Sequence, residues 1–197
     1  MQKRSLKLLS QFITFFILIA VSSFIFFENK VSHFDYTGFA NNMATQAESL
    51  IPDDISTQNK TYIIEKIRKN TSLTGQYLAK DSEYKFSNEQ IMLISQVEAE
   101  WTFHKSIDLA RSGIPAQYWD DILQRISFTI YEIAKQATIK QIPQEQMLQA
   151  VEYHVVKVYK QSIKELEQKG LIDKATKNKA ESQSNIDAMA KQAQNIK

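Results

Sequence analysis

The sequence predicts an all-α fold behind one apolar segment of membrane-spanning length, and three observations carry that prediction. Glycine and proline number only four and three in 197 residues, too few for the frequent turns of a strand-rich fold. Large apolar residues recur at helical spacing, most clearly at Trp119, Ile122, Ile126, Ile130, Ile133 and Ala137, where steps of 3, 4, 4, 3 and 4 make one continuous stripe. Helix start and stop signals separate these stretches. The expected architecture is a single N-terminal transmembrane helix followed by an exported helical bundle of about four to five helices.

The first element is the apolar run. Residues 8–27 form an uncharged stretch of 20 residues, which as a helix covers roughly 30 Å, the thickness of a bilayer's hydrocarbon core. Its anchoring side chains are Phe12, Ile13, Phe15, Phe16, Ile17, Leu18, Ile19, Phe24, Ile25, Phe26 and Phe27. Lys3, Arg4 and Lys7 stand just before it, so the positive-inside rule keeps residues 1–7 in the cytoplasm and sends the bulk of the chain across the membrane. A cleaved signal peptide is the rival reading, with small residues at Ala20 and Ser22 before a cut at Ser23. Against cleavage, "FIFF" continues the apolar run past that point. Residues 28–51, with Phe34, Tyr36 and Phe39, read as a juxtamembrane segment whose rings suit either the headgroup level or packing on the folded domain.

A bundle domain is expected over residues 52–170. Pro52, followed by Asp53 and Asp54, suits a helix start, with Tyr62, Ile63, Ile64 and Ile67 behind it; this helix is expected to fade near "KNTSLTG". A short helix with Leu73, Tyr77 and Leu78 follows. "SNEQ" at residues 87–90 fits a capping box, opening a long helix through Ile91, Ile94, Val97, Trp101 and Ile107, and Gly113 suits its C-terminal cap. Pro115 then leads into the striped helix. Pro143 and Glu145 open the last one, which carries Met147, Val151, Val155, Val158 and Leu166 and ends at Gly170. The short link between these two helices predicts an antiparallel hairpin. Residues 171–197 are rich in lysine, alanine, asparagine and glutamine and read as a polar, helix-prone tail with too few apolar residues for a core of its own.

Of 24 basic side chains, three precede the first acidic residue, Glu28, leaving 21 against 22 acidic ones. No basic face for phosphate binding is apparent, which argues against nucleic acid as a partner. Cysteine is absent, which excludes disulfides, thiolate metal sites and cysteine nucleophiles. Glu100, His104, Asp108 and Arg111 share one helix face at steps of 4, 4 and 3, but neither Glu100 nor Glu152 has histidine three residues on, as helical di-metal sites require. A solvated strip of ion pairs is the expectation there, with no metal and no catalytic role. His154, beside Val151, Val155 and Val158, is expected to be partly buried and satisfied. No phosphate-binding glycine loop, nucleophile elbow or zinc-binding helix motif occurs, so neither an enzyme nor a cofactor is expected.

Tyr118 and Trp119, at the start of the striped helix, are candidate interaction residues, since such rings supply much of the energy at protein interfaces, with core packing the favoured reading for Trp119. Ile186, Met189 and Ile196, spaced 3 and 7 in the tail, are candidates for docking on a partner. The expected partners are thus the lipid bilayer, through residues 8–27, and proteins of a membrane complex. The expected role is that of an anchored accessory or scaffold subunit of a bacterial envelope machine for secretion, transport or biogenesis. A cleaved, soluble exported module that binds or senses a small ligand is the alternative.

Overall fold

A computed structural model of the chain describes residues 34–183. Five long helices, α1 (Tyr36–Glu48), α2 (Thr57–Ala79), α3 (Asn88–Ser112), α4 (Trp119–Ile139) and α5 (Gln144–Gln168), make up almost all of it, and the described residues contain no strand. A single 3-10 turn, Ala116–Tyr118, lies between α3 and α4, and residues 174–183 are again helical. The segment expected to span the membrane, 8–27, lies outside the described residues. Among the described residues, no helix is long and apolar enough to cross a membrane.

Local chemistry explains most of the boundaries. Ser87 and Gln90 form the expected capping box, each side chain bonding the other's backbone N–H. Helix α3 ends on Gly113 at φ 77°, with Ile114 N–H returning to the Leu109 carbonyl at 3.1 Å. Gly170, at φ 68°, closes α5 in the same manner. Gln141 does so for α4 without the freedom of glycine, at φ 53°, and the sharp reversal that it permits sets α5 antiparallel to α4. Arg125 near the start of α4 accordingly meets Glu165 near the end of α5 at 2.7 Å.

Three expectations about the elements are corrected. Helix α2 starts at Thr57, capped by Ser56, because Pro52 instead accepts a turn bond from Ile55 N–H. It then runs unbroken through "KNTSLTG" to Ala79, and Gly75 is there for contact: an added Cβ would lie 2.6 Å from Tyr36 Cβ and 3.3 Å from Ser95 Oγ. Absence of a side chain lets α1, α2 and α3 approach closely at that point. The bundle also begins earlier than Pro52, since Phe39, Ala40, Met43, Ala44 and Ala47 of α1 are all fully buried.

Helix α3 is the central element. It packs against α1, α2 and α4, and every residue from 97 to 103 is buried, nearly two full turns and hence every direction around the axis. One core cluster centres on Phe39, Ile63, Ile67, Leu109, Trp119, Ile126 and Val155. A second, at one end of the bundle, joins Leu78, Phe86, Ile91, Ile94, Ala134, Ala137 and Met147. On α4 the stripe runs through Ile130 to Ala134, leaving Ile133 half-buried; on α5 it runs through Val155 to Tyr159, leaving Val158 half-buried. His154 is exposed rather than partly buried, because the buried face of α5 passes through positions 151, 155 and 159.

Candidate functional site

The chemistry of this domain is concentrated inside it, on α3. Glu98 is completely buried and accepts hydroxyl hydrogen bonds from three helices: Thr71 of α2 to Oε2 at 3.1 Å, Thr102 of α3 to Oε1 at 2.6 Å, and Ser127 of α4 to Oε1 at 2.7 Å. Glu98 forms no ion pair among the described residues. Burial pushes its carboxyl up to about 7, against the opposing pull of the three hydroxyls.

Two turns on, Lys105 and Asp108 form a buried ion pair, Nζ to Oδ2 at 2.7 Å. The ammonium also stands 5.1 Å from the Tyr159 ring centre and 5.6 Å from that of Trp101, an environment in which ring faces add to the attraction of the carboxylate. Ser112 Oγ donates to the Asp108 carbonyl at 2.6 Å.

The expected strip of Glu100, His104, Asp108 and Arg111 is thereby corrected. Glu100 and Asp108 are buried, only 6% and 3% exposed, because α3 has neighbours on its polar side as well. Along this strip Asp108 turns to Lys105, His104 lies half-buried with its ring edge-on to Phe103 at 5.2 Å, and Arg111 reaches across to Asp54 with two hydrogen bonds of 3.1 Å. That fork ties the end of α3 to the link before α2. Among the described residues no group of three ligating side chains could hold a metal ion.

Trp119 takes the core position favoured for it rather than the interaction role. It is fully buried, its indole N–H donates to the Ile114 carbonyl at 2.8 Å, and its ring meets Tyr62 edge-on at 5.3 Å. Tyr118 is half-buried and packs on the main core. Nearby, Lys66 pairs with Asp120 and lies 4.3 Å over the Tyr62 ring. At the other end, Lys135 meets Asp81 at 2.7 Å and Glu83 at 2.8 Å, and Tyr131 donates to Asp81 at 2.7 Å. Hydrogen bonds from Lys135 and Tyr131 hold Asp81 well below the usual carboxylate range. This cluster fastens the α2–α3 link onto α4. Ile186, Met189 and Ile196 lie outside the described residues.

Sequence reasoning passed over Glu98, Lys105 and Lys66. A usable signal existed for Glu98, which stands four residues after Ile94 and four before Thr102, on a line that is buried. Compared with protein-family models, curated proteins and solved structures, the chain matches none.

Proposed function

We propose that the chain is a single-pass, membrane-anchored interaction protein whose helical domain lies outside the cytoplasm and serves as an accessory or scaffold subunit of an envelope complex. The observation that carries this reading is the uncharged run of 20 residues behind Lys3, Arg4 and Lys7. Two features of the domain support it. Its buried carboxylates and ammonium groups are engaged with partners inside the bundle, as Glu98, Lys105 and Asp108 are, which suits a framework better than a reaction site. Phe128 and Tyr153, each 65% exposed on α4 and α5, are aromatic side chains within reach of a partner protein.

The test is the state of the mature N-terminus. Sequencing of the mature protein should find residues 8–27 retained, alkaline carbonate should leave the protein in the membrane, and crosslinking in intact membranes should join the domain to other membrane proteins. A mature chain starting at Ser23 and released by carbonate would favour the soluble exported module instead.

A further inference from the structure

We infer that Glu98 is a buried proton-binding site whose occupancy sets how firmly α2, α3 and α4 are joined. Ser127 Oγ lies within hydrogen-bond distance of two acceptors, Glu98 Oε1 at 2.7 Å and the Leu123 carbonyl at 2.9 Å, yet a serine hydroxyl has one hydrogen to give. One additional proton on Oε1 resolves the conflict: the carboxyl donates to Ser127 Oγ, Ser127 donates to Leu123, and Thr71 continues to donate to Oε2. Removing that proton turns Ser127 away from Leu123 and leaves an anion in the core.

Among the described residues no cation offsets that anion. Thr71 faces Glu98 from α2, Ser127 from α4 and Thr102 from its own helix, and all three are neutral. Of the buried charges on these elements, Lys66 of α2 pairs with Asp120, Lys135 of α4 with Asp81 and Glu83, and Lys105 of α3 with Asp108, while Glu100 of α3 is a second buried carboxyl and brings no positive charge. The buried residues of α1 are Phe39, Ala40, Met43, Ala44 and Ala47, none of them ionisable. An uncompensated carboxylate in such surroundings is costly, and protonation removes the cost.

The direction of the pH effect follows from linkage. The folded protein holds this proton up to about pH 7, whereas the unfolded chain releases it near the ordinary value of 4.5. Glu98 therefore contributes its full stabilisation below about pH 4.5, and the contribution is lost as pH rises through about 7. The geometry is independent of which side of a membrane the domain occupies.

Thermal unfolding of the full chain, in detergent, from about pH 5 to about pH 8 tests this directly, with Glu98→Gln as the comparison. The glutamine amide keeps the shape and the hydroxyl partners but cannot ionise. The unaltered protein should lose roughly 5–10 °C of Tm relative to the variant across that range. Infrared spectroscopy of the unaltered protein should show a protonated carboxylic acid that disappears near neutral pH and is missing from Glu98→Gln. The proposal fails if both proteins share the same pH slope, or if the unaltered protein shows no protonated carboxyl at about pH 5. Should the variant not fold, the infrared titration of the unaltered protein decides alone.

Discussion

Lys105 places an ammonium group where solvent does not reach, and a single residue can do so only because its surroundings were assembled for it. Asp108 supplies the countercharge at 2.7 Å, and Trp101 and Tyr159 supply ring faces. Such a pair is costly to break and cheap to replace, because removing one member leaves the other's charge in a poorly solvated place while removing both leaves none. Changing Asp108 to Ala should therefore cost about 3–5 kcal/mol, whereas the double change Lys105→Met with Asp108→Leu should cost much less. Urea unfolding of the two variants, compared with the unaltered protein, measures the difference. Equal losses would mean that the pair acts through shape alone. The sequence showed none of this, for an i, i+3 lysine and aspartate read equally well as a surface pair; only the neighbours of α3 make them interior.

At the scale of elements, legibility followed the kind of signal. Caps are local, fixed by a few adjacent residues, and Ser87, Gln90, Gly113 and Gly170 could be read one by one. Continuity of α2 is not local. "KNTSLTG" has poor helix formers, and what holds it helical is packing against helices distant in sequence, with Gly75 at the closest approach. The amphipathic rule located α4 and α5, each with one exposed face, but misread α3, whose polar residues are inside. Gly75 offers the sharpest test. In an exposed helix, glycine to alanine gains up to about 1 kcal/mol. Here the added methyl would stand 2.6 Å from Tyr36 Cβ, an atom too close to the backbone to swing aside, so Gly75→Ala should destabilise the domain by about 1–3 kcal/mol. A rise in Tm would show that α1 is free to move outward.

For the whole molecule, the decisive question is where the folding unit starts and stops. Composition placed its limits at residues 52 and 170, because "ESLIPDD" and Gly170 carry the clearest punctuation while α1 and the stretch after Gly170 have few large aliphatic side chains. Burial moves both limits outward. Phe39 and Met43 are fully enclosed, and at roughly 1.5–3 kcal/mol for each large side chain they contribute a substantial share of the roughly 5–15 kcal/mol by which a domain is stable. At the far end Ile172 packs on the core, Ala180 is completely buried, and Asp173 caps the helical residues 174–183 by accepting from Thr176 N–H at 2.7 Å. A fragment of residues 52–170 should therefore fail to unfold cooperatively, and one of residues 34–183 should show a single sharp transition. Deleting residues 182–197 from the full chain separates folding from docking: Ala180 stays, so Tm should change little, while recovery of partner proteins from detergent extracts should fall. A marked drop in Tm on that deletion would make the deleted residues part of the folding unit and remove the case for a docking tail.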